Sequence, residues 1–327
     1  MRYRRLGRSG LKVSALSFGS WVTFSNQVDR KRAETMLAHA YEAGINFFDN
    51  AEVYARGKSE EVMGDALKRL GYERDTWCVS SKVYFGRVDG PRPTQKGLAR
   101  KHVMEACDAA LRRLQVEYLD LFFCHRPDPE TPIEEVVRTM NTLIGQGKIL
   151  YWGTSEWSAA EIAAAYAHAG RLGLEGPTME QPQYNLFHRR RMEVEYAPVF
   201  REYGIGTTVW SPLASGILSG KYSEGIPEDS RFNVKGYEWL RDMIESERGR
   251  KRIQAASEIA TMARQLEATP AQLALAWCLR NPDVSTVILG ASRPEQLREN
   301  LGAIEVYERL DDSVVERLEE ITEPVAD

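Results

Sequence analysis

No apolar run in the 327-residue chain approaches the roughly 18–20 residues needed to span a bilayer, so no membrane insertion is predicted. The N-terminal segment is basic but lacks a long apolar stretch before a small-residue cleavage site, and no signal peptide is predicted. The net charge is −4 and both signs are spread along the chain, so no nucleic-acid partner is predicted. These absences favour a cytoplasmic protein, and the hydrophobic fraction of 43% is enough for a large core.

Cysteine and histidine are scarce. The four cysteines lie far apart within core-like sequence, at Cys78, Cys107, Cys124 and Cys278. Neither the cysteines nor the five histidines show the spacing of metal ligands. We therefore expect reduced, buried thiols of a cytosolic protein and no metal site.

What the chain does contain is an alternation of apolar strand patterns and amphipathic helix patterns. Eight strands are predicted, at residues 15–19, 45–49, 76–82, 118–124, 149–155, 178–181, 206–210 and 285–290. Strands separated by helices pair in parallel, and eight such units predict an α/β fold, a closed (β/α)8 TIM barrel. An open doubly wound sheet is the alternative, and it is disfavoured because no G-x-G-x-x-G follows the first strand.

A terminal hairpin, a long insertion and four helix starts are also predicted. Residues 1–14 are predicted to form a β-hairpin that caps one end of the barrel, and residues 211–250 form a long insertion after strand 7. A long loop on a compact domain is usually a lid or a binding loop. Capping-box sequences beginning at Thr131, Ser158, Thr269 and Ser292 mark four predicted helix starts. Length alone suggests two domains, but we predict a single barrel domain over residues 1–327.

Four polar residues lie where predicted strands end. Asp49 ends the second strand and Tyr54 follows five residues later, whereas Lys82 ends the third strand and His125 follows the fourth. The carboxyl ends of barrel strands share one mouth, so these residues are predicted to converge. Taken singly, each has a structural explanation as a turn cap, a surface charge, a loop residue or a packed histidine. Their joint spacing favours a site.

The four groups suit reduction of a carbonyl by hydride transfer. The carbonyl oxygen gains negative charge as hydride reaches carbon, and it needs hydrogen-bond donors and a proton. A free tyrosine, with a pKa of about 10, is a poor acid at neutral pH, but a nearby ammonium lowers that pKa. We expect Lys82 to act on Tyr54 in this way and Asp49 to keep Lys82 charged. His125 is expected to donate to the substrate oxygen or to assist proton transfer.

The stretch GINFFDNAEVY at residues 44–54, the lysine after WCVSS and the histidine after YLDLFFC resemble the aldo-keto reductases, and the resemblance covers nearly the whole chain. In detail it is closest to the branch that contains the β subunits of voltage-gated potassium channels. The resemblance implies that Asp49, Tyr54, Lys82 and His125 form a catalytic tetrad in which Tyr54 is the general acid. That branch typically has asparagine in place of His125, a difference that favours an ordinary enzyme over a slow redox sensor.

A cofactor is required because the four polar groups include no hydride source. Residues 289–300 are predicted to form a strand, a glycine turn and a helix N-terminus, an arrangement that favours binding of a phosphate group. Ser292 could cap this helix at the same time, because the phosphate would use the exposed backbone N–H groups. The resemblance places the adenosine end of a nicotinamide nucleotide at Gly290, Ser292, Gln296, Glu299 and Asn300. Many family members have arginine at Gln296 for the 2′-phosphate, yet we predict NADP(H) over NAD(H), with Arg293 supplying charge.

The resemblance also implies contacts at the nicotinamide end. Trp210 would stack on the ring, Ser155 and Gln181 would hold the carboxamide, and Ser20, Trp21 and Asp49 would border the ring and the substrate. The pyrophosphate is assigned to Ser211, Pro212, Leu213, Ser215 and Lys221, with Arg231 joining as the insertion closes. Glu156 stands where the family often has asparagine or arginine, and no contact is assigned to it.

The sequence therefore predicts an NADPH-dependent aldehyde or ketone reductase. The alternative is a cofactor-binding regulatory subunit of a channel or transporter with slow vestigial activity. A barrel lyase or isomerase for phosphorylated sugars is a third, less favoured reading. Aromatic side chains are expected to form an apolar substrate pocket at the mouth, from Trp21, Tyr54, Tyr84, Phe85, Trp152 or Trp157. A homo-oligomer is predicted, with a tetramer as the form common in the resembling branch.

Overall fold

A computed structural model describes residues 1–21, 30–222, 225 and 238–327. Arg231 and much of the predicted insertion lie outside the described residues. Among the described residues, no helix is long and apolar enough to cross a membrane. All four cysteines are buried and unpaired.

Eight parallel strands close into a barrel, as the alternation of strand and helix patterns predicted. They are β3 (Leu16–Gly19), β4 (Phe47–Asp49), β5 (Cys78–Val83), β6 (Leu119–Cys124), β7 (Ile149–Thr154), β8 (Met179–Glu180), β9 (Gly206–Val209) and β10 (Thr286–Leu289). Each strand pairs with the next along the chain, and β10 returns to pair with β3. The α/β barrel prediction is confirmed, and the observed strands fall within one to two residues of the predicted ones, β5 extending one residue further.

Helices surround the barrel in chain order. They are α1 (Arg30–Glu42), α2 (Lys58–Leu70), α3 (Arg100–Leu114), α4 (Ile133–Gly145), α5 (Ala159–Leu172), α6 (Ala197–Tyr203), α7 (Glu238–Glu245), α8 (Glu247–Gln265), α9 (Pro270–Arg280), α10 (Pro294–Leu301), α11 (Ala303–Arg309) and α12 (Asp312–Thr322). Their apolar stripes pack against the outer faces of the strands and form the main hydrophobic core.

The predicted N-terminal hairpin is present and closes the amino end of the barrel. Its strands β1 (Tyr3–Arg5) and β2 (Lys12–Ser14) pair antiparallel. Leu6 and Val13 pack into a second core with side chains from inside the barrel, among them Phe47, Leu121 and Phe123. With this end filled by apolar side chains, polar groups inside the barrel gather toward the opposite mouth.

Two of the four predicted helix caps are wrong. Ser158 and Thr269 each form a capping box, as predicted. At α4 the cap position is Pro132, because the Thr131 hydroxyl donates to the carboxylate of Asp128 instead. At α10 the cap position is Arg293, and Ser292 bonds to a glutamine side chain four residues ahead. In both cases another side chain accepts a hydrogen bond from the hydroxyl, Asp128 before α4 and Gln296 within α10, so the hydroxyl does not cap the helix.

Two tryptophans expected near the mouth lie in the core instead. Trp152 is fully buried on β7, and its indole N–H donates to the carbonyl of Glu175, 3.0 Å away. Trp157 is also buried, and both belong to the core between strands and helices. Trp152 occupies an outward-facing strand position, which a period-two pattern cannot separate from an inward one when both faces are apolar.

Candidate active site

Asp49 and Lys82 form a buried ion pair at the carboxyl ends of β4 and β5. The Lys82 Nζ lies 2.6 Å from Asp49 Oδ2, and the two side chains are 0% and 4% exposed. The same ammonium donates to the carbonyl of Asn50 (2.8 Å) and to the phenolic oxygen of Tyr54 (3.3 Å). Burial lowers the pKa of Lys82, and the charge of Asp49 opposes that shift. An ammonium and a phenol therefore meet inside the barrel mouth.

The second oxygen of Asp49 is held as firmly as the first. Its Oδ1 accepts hydrogen bonds from the Ser80 hydroxyl (2.8 Å) and from the Gln181 side-chain amide (3.1 Å). The carboxylate is thus held by partners from β5 and from the end of β8, across the width of the barrel. This arrangement leaves Asp49 little freedom to turn away from Lys82.

Tyr54 opens a short turn whose backbone is strained. The 3-10 segment Tyr54–Gly57 contains two non-glycine residues with left-handed conformation, Ala55 (φ 47°) and Arg56 (φ 56°), followed by Gly57 (φ 83°). Such conformations are uncommon outside glycine and concentrate at functional sites. The turn brings the phenol back over Lys82, whose Nζ lies 4.9 Å from the ring centroid.

His125 completes the group from the end of β6. Its backbone N–H donates to Val83, and its ring contacts Tyr54 and Phe85 edge-to-face, with centroids 5.8 and 5.1 Å apart. Burial, followed by the charges of Lys82 and Arg126, lowers the pKa of His125 well below its usual value, so the ring is neutral. Its Nδ1 is buried without a hydrogen-bond partner among the described residues. All four predicted tetrad positions thus lie together at one mouth.

The residues predicted for the nicotinamide end surround this group. Trp21 and Trp210 meet edge-to-face with centroids 6.3 Å apart. The Ser20 hydroxyl donates to the carbonyl of Asp49, and the Ser155 hydroxyl donates to that of Gln181. The amide of Gln181 points to Asp49 and to Thr208. These side chains already have protein partners, and their contacts to a carboxamide stay a prediction.

The turn after β9 carries the residues predicted for the pyrophosphate, Ser211, Pro212, Leu213 and Ser215. Positive φ values at Ser211 (54°), Ala214 (47°) and Ser215 (59°) make this a second strained segment. Lys221 folds back over it, because its Cε would lie 2.9 Å from a Cβ added to Gly216. A lysine is therefore held against the turn predicted to meet the phosphates.

The segment predicted for the adenosine end has open space and an unused amide. No atom lies within 4 Å of the point where Gly290 would carry a Cβ. Asn300, 5% exposed on α10, makes no side-chain hydrogen bond to another described residue. The side-chain oxygen of Gln296 accepts from both the backbone N–H and the hydroxyl of Ser292, at 3.0 Å each. Glu299 has its carbonyl bonded to Gln272 (2.8 Å). The open space and the free amide fit a nucleotide.

Sequence reasoning missed Glu52, which ties two active-site loops together. Its Oε1 accepts from the backbone N–H groups of Tyr84 (3.0 Å) and Gly86 (2.9 Å), and its Oε2 lies 3.5 Å from His102 Nε2. Burial disfavours the charged ring, but Glu52 and the Gly97 carbonyl outweigh it, so the pKa of His102 is raised. An acidic residue between Ala51 and Val53, in the loop from Asp49 to Tyr54, was the available signal.

Two further glutamates lie beside the mouth. Glu156 accepts from the indole N–H of Trp210 at 3.0 Å and pairs with Arg191. Glu180 is completely buried and accepts from the Thr154 hydroxyl. Burial raises the pKa of Glu180 to about 8, although the hydrogen bond from Thr154 acts to lower it. A glutamate within the predicted strand TMEQ, residues 178–181, was the signal for Glu180.

Comparison with known proteins agrees with the barrel geometry. Residues 15–323 match the sequence model of the Aldo/keto reductase family. The chain is 49% identical over 324 residues to a probable voltage-gated potassium channel subunit beta of Arabidopsis thaliana, covering 98% of this chain and 96% of that protein. It is 48% identical over 326 residues to a protein of the same description in Oryza sativa subsp. japonica, covering 99% and 97%.

Proposed function

Because the chain belongs to the aldo/keto reductase family, whose members are NAD(P)-dependent oxidoreductases, we propose that it reduces aldehydes or ketones to alcohols with NADPH. The observation that carries this proposal is the contact of the buried Lys82 ammonium with the Tyr54 phenol at 3.3 Å. A phenol in that position can give a proton to an oxygen at the mouth. Tyr54 is then the general acid of the reaction.

Lys82 and Asp49 prepare Tyr54 for proton transfer. When the phenol gives up its proton, the phenolate is stabilised by the ammonium beside it, and this lowers the free energy of the charged state. Asp49, 2.6 Å from the ammonium, offsets the cost of burying that charge. The hydrogen bonds from Ser80 and Gln181 keep the carboxylate in position.

His125 orients the substrate oxygen. Its lowered pKa leaves the ring neutral at physiological pH, so it acts as a hydrogen-bond donor and not as a cation. Its ring meets Tyr54 edge-to-face, and a carbonyl oxygen between the two would accept from both. Phe85, 40% exposed and packed on the same ring, offers apolar surface to the rest of the substrate.

NADPH, when bound, supplies the hydride. Trp210 and Trp21 would border its nicotinamide ring, the Ser211–Ser215 turn and Lys221 its pyrophosphate, and Gly290 and Asn300 its adenosine end. Gln296 gives no positive charge for a 2′-phosphate, which leaves Arg293 as the neighbouring cation. Titration with NADPH and with NADH compares the two cofactors directly, and tighter binding of NADH would overturn the choice of NADPH.

The test of the function uses one sample. Purified protein is titrated with NADPH while tryptophan fluorescence is followed, and 4-nitrobenzaldehyde is then added while nicotinamide absorbance is recorded. We expect saturable quenching and steady oxidation of NADPH. Absence of binding for both NADPH and NADH would overturn the proposal together with its cofactor site.

A second candidate function is that of a cofactor-binding regulatory subunit. It is supported by the sequence identity of 49% and 48% to two plant proteins described as probable voltage-gated potassium channel β subunits. A homo-oligomer accompanies either proposal, with a tetramer as the form common in the channel β-subunit branch, and sedimentation velocity tests it. Tight NADPH binding with almost no turnover in the experiment above would favour the regulatory function over the reductase.

A further inference from the structure

Trp210 is held at its nitrogen by a carboxylate. The indole Nε1 donates to Glu156 Oε1 at 3.0 Å, and that oxygen also accepts from the backbone N–H of Gln183 at 2.7 Å. The backbone of Trp210 pairs with Gln183 in an isolated parallel bridge. Hydrogen bonds to a carboxylate are about twice as strong as neutral ones. The ring is therefore fixed both at its backbone and at its polar edge.

Glu156 is itself immobilised. Its second oxygen pairs with the guanidinium of Arg191, which also donates to the carbonyl of Glu156 (3.3 Å). The Glu156 side chain is 19% exposed, so this pair is screened less than a surface ion pair. Glu156 also has a left-handed backbone (φ 60°), which a non-glycine residue adopts only when its surroundings determine it.

The network lies outside the tetrad. Glu156 follows β7, Arg191 begins the π-helical segment Arg191–Glu195, and Trp210 follows β9. The rings of Trp210 and Trp21 meet edge-to-face at an interplanar angle of 81°. Rotation of Trp210 about its side-chain torsions would break the bond to Glu156 and change the space between the two rings.

We propose that Glu156, clamped by Arg191, is a positioning residue that fixes the plane of the Trp210 indole and thereby sets the affinity of the site for the nicotinamide ring. This inference rests on the proposed function, because it takes the space beside Trp210 as the nicotinamide site. The charge of Glu156 acts through Trp210 and not directly on the nucleotide.

The first test needs no cofactor. The chain has seven tryptophans, so selective ¹⁵N-indole labelling gives seven N–H resonances, and Trp210→Phe identifies the one from Trp210. We expect Glu156→Gln to shift the Trp210 resonance and leave the other six in place. Glu195→Gln is the matched control, because Glu195 lies 3.7 Å from Arg191 in the same ion-pair group and carries no hydrogen bond to Trp210. An unmoved Trp210 resonance in Glu156→Gln overturns the inference.

The second test asks whether the bond is used in binding. We expect Glu156→Gln to weaken NADPH binding about 3- to 10-fold with kcat changed less than about twofold. In a Trp210→Phe background, which lacks the indole N–H, the same substitution is expected to change the dissociation constant by less than about 1.5-fold. An equal effect in both backgrounds, or tighter NADPH binding in both, would show that the carboxylate acts on the cofactor directly.

The two proposals fail separately. A wild-type protein that binds neither nicotinamide nucleotide overturns the proposed function, whatever the indole spectrum shows. A wild-type protein that binds NADPH while Glu156→Gln leaves both the Trp210 resonance and the affinity unchanged overturns only the role of Glu156. Unchanged thermal unfolding of Glu156→Gln is the check that the variant is folded.

Discussion

The Nζ of Lys82 lies 3.3 Å from the phenolic oxygen of Tyr54, although the Lys82 side chain is completely buried. Burying an ammonium costs free energy. Here the hydrogen bonds from Lys82 to Asp49 and to the carbonyl of Asn50 offset that cost. Placing this cation beside the phenol means that the stabilisation of a phenolate is prepared before any substrate arrives.

Tyr54→Phe removes the phenolic hydroxyl, which is the proposed general acid, and keeps the aromatic ring. We expect turnover with 4-nitrobenzaldehyde to fall by at least about 10²-fold, because proton donation by a positioned group contributes on that scale. NADPH affinity should stay within about twofold, as measured by fluorescence titration. Turnover close to that of the wild type would remove Tyr54 from the mechanism.

Lys82→Met replaces the ammonium with an apolar side chain of similar length and leaves Asp49 buried without its cation. We expect loss of turnover and a decrease of about 3–5 kcal/mol in the free energy of unfolding. The double variant Lys82→Met/Asp49→Asn is the control, since removing the unpaired charge should restore part of the stability and none of the activity. Recovery of activity in the double variant, or an unchanged pH profile in the single one, would exclude Lys82 from the proton step.

Glu180 makes stability depend on pH. Its pKa is raised from an ordinary value of 4.5 to about 8, so the folded state binds more protons than the unfolded state between these values, and stability falls as pH rises through that window. Glu180→Gln mimics the protonated carboxyl. We expect the variant to be more stable than the wild type at pH 9, by on the order of 2–4 kcal/mol, and nearly equal to it at pH 4.5. Denaturant unfolding at both pH values measures this, and a constant difference would contradict it.

The Glu52–His102 pair should have a pH dependence of the same sign, at a higher pH than the lower end of the Glu180 window, because folding also raises the pKa of His102. A histidine whose pKa is raised by folding contributes stability that is complete below its unfolded value of 6.5 and is lost as pH rises through the folded value. His102→Gln should therefore lower the melting temperature more at pH 6 than at pH 9. His168→Gln is the control, because His168 lies near Glu134 (3.6 Å) at the surface. Equal losses at both pH values would show that the ion pair contributes nothing.

Much of the barrel was predictable because buried parallel strands leave a strong signal. Apolar runs such as LDLFFC, followed by a polar residue, locate both a strand and its end, and this placed Lys82 and His125 correctly at the mouth. The side on which a residue faces within an apolar strand was not predictable, as Trp152 shows. Neither were contacts between distant loops, such as Glu156 with Trp210 and Glu52 with Tyr84. These depend on how strands close around the barrel, which local patterns do not encode.

Closure of the barrel joins the beginning of the chain to its end, because Leu16 on β3 pairs with Val287 on β10. During synthesis, β3 must wait for almost the entire chain to emerge before it acquires this neighbour, and its edge stays open until then. Contacts this distant in sequence slow folding and prolong exposure of unpaired strands. Asp49 and Lys82, made early and only 33 residues apart, can meet long before the wall that shields them from water is complete.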